Sequence, residues 1–81
     1  MLQAIIDIGS NTIRMVIYRL RRGRADLLLK KKNLAALAAH VQNGVMQPSG
    51  IERAAQVLTE FQDFLRALGI RRVTTFATAA L

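Results

Sequence analysis

The sequence predicts a mixed α/β fold whose elements follow the order β-β-β-(α)-α-β. Three observations lead to this prediction. An apolar run opens the chain, two β-rich segments separated by a glycine turn follow it, and a long stretch with helical periodicity precedes a final β-rich segment. Because a helix between two strands usually returns the second strand parallel to the first, we expect the last strand beside the first, reached by a right-handed crossover.

The first third of the chain predicts an antiparallel meander. Its opening run is almost continuously apolar, which is typical of a strand buried on both faces. The next two segments are rich in β-forming residues, and glycine lies in each connecting turn. The predicted elements are, in order, strand 2–8, turn 9–12, strand 13–20, turn 21–24 and strand 25–30.

Residues 50–68 predict an amphipathic helix. Ser49 and Glu52 fit a capping box, in which each side chain bonds to the other residue's free N–H group. Gly69 has the residue type that usually follows a helix C-terminus. The apolar stripe that we expect in the core consists of Ile51, Ala54, Ala55, Leu58, Phe61, Leu65 and Leu68.

The middle of the chain is less regular. Residues 33–40 are rich in alanine and leucine, and they predict a short helix capped by Asn33. Asn43-Gly44 and Gln47–Gly50 then carry loop signals. After the long helix, residues 70–78 predict the last strand, and no internal repeat or linker is visible.

Composition limits the classes of function. The formal charge is +7, with twelve Lys and Arg against five Asp and Glu, which favours anionic partners. The absence of cysteine excludes disulfides and thiolate metal sites, and it suits a reducing compartment. The apolar run at residues 34–39 is far shorter than the roughly 20 residues needed to span a membrane. Without a basic start or an uninterrupted apolar stretch, the N-terminus does not fit a signal peptide, so we expect a cytoplasmic protein.

The most chemically distinctive residues are Ile5 to Arg14, with the sequence Ile-Ile-Asp-Ile-Gly-Ser-Asn-Thr-Ile-Arg. Successive N–H groups in such a turn can bind an anion. Arg14 adds a bidentate donor, and Asp7 could hold a metal that accompanies phosphate. If the turn takes residues 9–12, Asp7 faces Arg14 and Ile8 faces Ile13 across the hairpin. On this local pattern alone, an ordinary hairpin with a cross-strand ion pair remains the alternative.

Residues 6–14 resemble the first phosphate motif of the exopolyphosphatase/guanosine pentaphosphate phosphatase (Ppx/GppA) family, within the actin-like ATPase superfamily. The helix end at residues 61–69 and the stretch Phe-Ala-Thr-Ala-Ala-Leu at residues 76–81 are also similar to family sequences. The resemblance implies that residues 1–81 form the N-terminal part of the first actin-like (ribonuclease H-like) domain. The remainder of the protein is expected to follow Leu81.

The resemblance also implies a chemistry. Family members hydrolyse the terminal phosphoanhydride of polyphosphate or the 5′-phosphate of guanosine pentaphosphate, assisted by Mg²⁺, and residues 1–81 do not choose between these substrates. Asp7 would lie near the metal, and no catalytic residue is expected here because the water-activating glutamate falls beyond Leu81. We therefore expect this segment alone to be inactive and to self-associate or swap elements, and the full-length enzyme to be a homodimer. The residues implied to contact phosphate are Gly9, Ser10, Asn11, Thr12, Arg14, Thr78 and Ala79.

One departure from the family pattern and two alternative functions have to be considered beside this interpretation. Residues 32–37 replace an arginine-leucine-glycine pattern that is frequent in the family, which puts substrate contacts there in doubt. A phosphate-binding sensor without the downstream glutamate is one alternative, and a small basic nucleic-acid-binding module is another. Nucleic acid is disfavoured because Tyr18 has no aromatic companion for base stacking. The charges at residues 21–24 and 30–32 could funnel a polyanion, but their place far along the hairpin from the loop favours solvated turns and edge-strand protection. His40 lacks a companion metal ligand.

Overall fold

The computed structural model describes residues 1–77, which form a four-stranded sheet, a separate two-stranded hairpin and one α-helix. The sheet order is β3-β2-β1-β6, with β1 antiparallel to β2 and parallel to β6. The predicted mixed sheet and its parallel crossover are therefore confirmed. The elements are β1 (Leu2–Ile8), β2 (Ile13–Arg21), β3 (Arg24–Asn33), a 3₁₀ helix (Leu37–His40), β4 (Val41–Gln42), β5 (Val45–Met46), α1 (Pro48–Ala67) and β6 (Val73–Ala77).

The register of the first hairpin follows from which face of the sheet is buried. Asp7 pairs with Arg14 and Ile8 with Ile13, as predicted. Ile6 and Met15 also pair, and both are buried beneath α1. Because side chains alternate between the faces, a slip of one residue would move these apolar side chains to the opposite face.

The core lies between α1 and one face of the sheet. The expectation that the strand at residues 2–8 is buried on both faces is wrong for this part of the chain. Only Ala4 and Ile6 of β1 are buried, and the residues between and around them are partly exposed, because α1 covers a single face. The buried side chains are those of Ala4, Ile6, Ile13, Met15, Ile17, Ala35, Leu37, Val57, Phe61, Leu65 and Ile70.

The helix predicted at residues 33–40 is wrong for residues 33–36. β3 continues to Asn33, whose side-chain Oδ1 accepts a hydrogen bond of 3.0 Å from Arg53 Nη2 of α1. Ala36 has a left-handed backbone with φ of 51°, which is incompatible with an α-helix. Only Leu37–His40 is helical, as a single 3₁₀ turn.

A hairpin that sequence reasoning treated as a loop connects this segment to α1. Gln42 pairs with Val45, and the two residues between them, Asn43 and Gly44, have φ of 51° and 76°. Positive φ at both central residues is the geometry that a two-residue hairpin turn requires, and Asn-Gly is its strongest sequence signal. That signal was present in the sequence.

The N-terminus of α1 differs from the predicted capping box. The helix begins at Pro48 after Gln47, and no side chain caps it. Proline suits this position because its missing N–H would have no helical partner. Ser49 lies inside the helix instead, with its Oγ 2.8 Å from His40 Nδ1. The Ser49 hydroxyl therefore pairs with His40 of the 3₁₀ turn, whereas the capping box predicted that it would pair with the Glu52 N–H.

The C-terminus of α1 is as predicted. Gly69 has φ of 71°, and its N–H donates to the Arg66 carbonyl. The Ile70 N–H donates to the Leu65 carbonyl, which completes a Schellman motif. Ile70 and Leu65 are both buried, so the turn also brings the chain back onto the core. Within residues 1–77, no helix has the length and apolar character needed to cross a membrane.

The buried face of α1 is rotated from the predicted stripe. Ile51, Ala55 and Leu68 are exposed, whereas Val57, which the stripe omitted, is completely buried. Apolar residues lie on two adjacent faces of α1 in the sequence. The face with Val57, Phe61 and Leu65 is the one that packs in the core, and the face with Ile51 and Leu68 is exposed. The buried residues of α1 are Gly50, Val57, Phe61 and Leu65.

Gly50 shows how closely α1 approaches the 3₁₀ turn. A Cβ at this position would lie 2.6 Å from His40 Cβ and would also clash with Met46 Sδ. Although Gly→Ala in a helix usually stabilises by about 1 kcal/mol, we expect Gly50→Ala to destabilise by about 1–3 kcal/mol through overpacking. Urea denaturation followed by circular dichroism measures this. The exposed Thr59→Ala change in α1 is the control, and an unchanged or raised stability of Gly50→Ala would contradict the prediction.

The sheet has contrasting edges. β3 at one end carries Lys30–Lys32, whereas β6 at the other end consists of Val-Thr-Thr-Phe-Ala, all exposed. β6 starts three residues later than predicted, because residues 70–72 connect it to α1, and the predicted end at residue 78 lies outside the described residues. An uncharged edge strand favours pairing with further chain, so the expected self-association stays a prediction.

Candidate phosphate-binding site

The turn at residues 9–12, named here the 9–12 loop, is a tight connection between β1 and β2. The Gly9 N–H donates a hydrogen bond of 3.0 Å to the Thr12 carbonyl. A Cβ on Gly9 would lie 2.9 Å from the same carbonyl oxygen. Glycine is therefore required here by close backbone approach. Since the Gly9 N–H already donates to Thr12, it is not available to a phosphate. The implied role of Gly9 is therefore to allow the tight turn that positions the other N–H groups of the loop.

Backbone contacts from the segment after β3 hold the loop in place. The Ala38 N–H donates to the Ser10 carbonyl at 2.8 Å, and the Ala36 N–H donates to the Asn11 carbonyl at 2.9 Å. Ala36 reaches this position through its left-handed backbone. These contacts involve main-chain atoms only, so no residue type in the sequence indicated them.

The orientation of the loop's donors follows from these two contacts. Within residues 1–77 no peptide bond is cis, and in a trans peptide the carbonyl and the next N–H point in opposite directions. The Asn11 and Thr12 N–H groups therefore point away from the 3₁₀ segment. Neither donates a hydrogen bond to any part of the described chain. Two successive free N–H groups on one side of a turn form a concavity suited to an anion.

Arg14 and Asp7 lie on the sheet face opposite α1. Arg14 is exposed and lies between Ile13 and Met15, which are both fully buried against the helix side. Asp7, next to the buried Ile6, is partly exposed on the same face as Arg14 and pairs with it across the hairpin. The structure thus brings a carboxylate, a guanidinium and the 9–12 loop to one end of the hairpin, as the sequence predicted.

The site can supply one carboxylate ligand to a metal. In the described part of the chain, no three His, Cys, Asp or Glu side chains form a cluster that could hold an ion by themselves. Mg²⁺ usually binds through one or two carboxylates together with substrate phosphates and water. The position of Asp7 at the end of β1, on the face that carries Arg14, fits this pattern.

Two of the residues implied to contact phosphate, Thr78 and Ala79, lie outside the described residues. The strand that leads to them reaches the loop end of the sheet, where Phe76 pairs with Asp7 and Ala77 with Ile8. A separate groove of about 670 Å³ lies between α1 and β6. Its lining includes Leu65 and Ile70 and none of the predicted site residues.

Known proteins with similar sequences and folds share this arrangement of elements. No protein-family model matches the chain. A guanosine-5′-triphosphate,3′-diphosphate pyrophosphatase from Pseudoalteromonas atlantica is 31% identical over an 81-residue alignment that covers 99% of this chain and 16% of that protein. The crystal structure of the Aquifex aeolicus Ppx/GppA family member matches with a TM-score of 0.84 and 31% identity, covering 95% of this chain and 26% of that one.

Two further solved structures agree. The Aquifex aeolicus PPX-GPPA enzyme has a TM-score of 0.85 at 33% identity, over 99% of this chain and 27% of that chain. An exopolyphosphatase from Cytophaga hutchinsonii has a TM-score of 0.87 at 23% identity, over 99% of this chain and 26% of that chain, and this likeness shows the shared fold alone. The chain spans about a sixth of its curated relative and about a quarter of these structures. Sequence and fold together show that the chain belongs to the Ppx/GppA family and corresponds to its N-terminal segment.

Proposed function

We propose that the 9–12 loop binds a phosphoryl group of polyphosphate or guanosine pentaphosphate, as the phosphate-binding wall of a phosphoanhydride hydrolase. The observation that carries this proposal is the pair of free N–H groups at Asn11 and Thr12, held outward by Ala36 and Ala38. The names of the relatives support the substrate class, since one is a guanosine-5′-triphosphate,3′-diphosphate pyrophosphatase and another a PPX-GPPA enzyme. In this proposal, residues 1–81 are the first part of an actin-like domain.

The contribution of these residues to hydrolysis is electrostatic. The preformed N–H groups need no rearrangement when charge develops on the transferred phosphoryl group, and the Arg14 guanidinium adds a bidentate donor beside them. Asp7 would hold Mg²⁺, which neutralises phosphate charge when bound. A general base from outside residues 1–77 would orient the attacking water. These roles assign binding and orientation to the loop and leave proton transfer to another part of the protein.

Amide chemical shifts test the binding step directly. On titration with inorganic pyrophosphate and Mg²⁺, we expect the Asn11 and Thr12 amide resonances to move furthest, because their N–H groups gain an acceptor. The Gly9 amide should move less, since its N–H already donates to Thr12. The Asn43 and Gly44 amides at the remote hairpin are the internal control.

Product analysis then separates a hydrolase from a sensor. If the intact protein shows these shifts and releases orthophosphate from polyphosphate or guanosine pentaphosphate, the proposal holds. Shifts without product would favour a phosphate-binding sensor. Unmoved Asn11 and Thr12 resonances at saturating pyrophosphate would contradict the binding site itself.

A further inference from the structure

The lysines of β3 lie much closer to the 9–12 loop than the sequence suggested. Residues 30–32 were expected far along the hairpin, and this expectation is wrong. The chain turns at Arg22-Gly23 and β3 runs back along β2, so that Lys32 pairs with Arg14 and Lys30 with Val16. Separation along the chain therefore gave no measure of distance from the loop.

Lys30 and Lys32 share the sheet face that carries Arg14. The intervening Lys31 places its Nζ 4.1 Å from the centre of the Phe64 ring of α1, which puts Lys31 on the helix side. Because strand side chains alternate, its two neighbours point to the opposite face. Arg14 points there too, between Ile13 and Met15. We name Arg14, Lys32 and Lys30 the cationic row.

The cationic row places Lys32 beside Arg14, whose cross-strand neighbour on its other side is Asp7. The Cβ atoms of directly opposed residues lie about 5 Å apart, and like charges in such pairs are destabilising. The two salt bridges in the described chain, Arg24 with Asp26 and Arg66 with Asp63, involve none of these residues. The side chains of Lys30 and Lys32 also form no hydrogen bond within residues 1–77. A row of this kind is stabilised when an anion lies along it.

We propose that the cationic row extends the phosphate site along β3, so that the protein holds several consecutive phosphates of a linear polyanion. This inference rests on the proposed function of the 9–12 loop. A terminal phosphate would lie at the Asn11 and Thr12 N–H groups. The following phosphates would pass Arg14 and reach Lys32 and then Lys30, which are about 7 Å apart along the strand.

The face favours polyphosphate over single-stranded nucleic acid as the occupant. Base stacking needs aromatic rings next to the phosphate path. Tyr18 pairs with Gln3 and Phe76 with Asp7, so β1 separates the two rings and they lie at different levels along it. Neither aromatic residue pairs with a member of the cationic row. A row whose direct cross-strand partners include no aromatic residue matches an inorganic polyanion better than a strand of stacked bases.

Binding measurements on the intact protein test the inference. The variant Lys30→Ala/Lys32→Ala should bind long-chain polyphosphate about tenfold more weakly, with a salt slope smaller by about 2, roughly one for each lost phosphate contact. Its affinity for pyrophosphate, which reaches only the loop and Arg14, should change less than about twofold. The matched control Arg21→Gln/Arg22→Asn removes the same charge at the far turn and should leave both affinities unchanged.

Each outcome has a defined meaning. Equal losses in the lysine variant and the far-turn control would overturn the inference, because only net charge would matter. Equal competition by single-stranded DNA of matched charge would also overturn it in favour of nucleic acid. If the native protein does not bind pyrophosphate, or if Arg14→Ala binds it as tightly as the native protein, the proposed function is wrong, and the inference that rests on it is wrong as well. Lys32→Gln should raise the melting temperature by relieving repulsion from Arg14, and a lowered melting temperature would contradict a repulsive contact between Lys32 and Arg14.

Discussion

Replacing Arg14 with alanine in the intact protein is expected to lower the rate of phosphoanhydride hydrolysis by about 100-fold or more. Removing one donor aimed at developing charge typically costs a factor of 10²–10³, roughly 3–4 kcal/mol. Arg14 is exposed and makes no salt bridge with another described residue, so its removal should leave the fold intact. Release of orthophosphate from polyphosphate and from guanosine pentaphosphate measures the loss.

The controls for Arg14→Ala separate charge from geometry. Arg14→Lys keeps the charge but loses the bidentate fork, so its activity should fall between those of the native protein and the alanine variant. Arg22→Asn removes a charge at the far turn, where asparagine suits the positive φ of 52°, and should retain activity. Near-normal turnover of both substrates by Arg14→Ala would refute the assignment.

Replacing Gly9 with alanine is expected to weaken pyrophosphate binding about tenfold or more. The new Cβ would lie 2.9 Å from the Thr12 carbonyl oxygen, and overpacking of this kind costs about 1–3 kcal/mol. The clash opens the turn and moves the Asn11 and Thr12 N–H groups, because the loop backbone is one short connection. Calorimetric titration gives the affinity, and denaturation gives the loss of stability.

Gly44→Ala is the matched control for Gly9→Ala. Gly44 has φ of 76° and no heavy atom within 4 Å of an added Cβ, so alanine strains its turn without a contact near the site. We expect Gly44→Ala to lower stability while leaving pyrophosphate affinity unchanged. If Gly44→Ala reduced the affinity as much as Gly9→Ala, the effect would reflect general destabilisation and the specific role of Gly9 would be wrong.

The hairpin around the 9–12 loop could be predicted because its signals are local. Asp7 and Arg14 face each other since the turn length is set by Gly9 and the register by alternating apolar residues, all within one short stretch. The Schellman motif at Gly69 was predictable for the same reason. In both places the backbone requires glycine, because a side chain would clash at Gly9 and the positive φ at Gly69 disfavours other residues.

The segment between β3 and α1 could not be predicted from composition. Its alanines and leucines favour a helix, yet Ala36 adopts a left-handed backbone and bonds to the Asn11 carbonyl. The capping box failed similarly, because Ser49 meets His40 from another element. Tertiary contacts outweigh propensities of a few tenths of a kcal/mol per residue.

The sequence by itself determined the order of the elements, the hairpin register and the residues gathered at its turn, because each depends on neighbours in the chain. Only the tertiary structure decided which way the loop's N–H groups point and where the β3 lysines lie. The first depends on backbone contacts from Ala36 and Ala38, which have no side-chain signature. The second depends on β3 folding back to set Lys32 beside Arg14. Hydrogen bonds between distant main-chain atoms and cross-strand neighbours are properties of the folded chain, and residue order alone does not contain them.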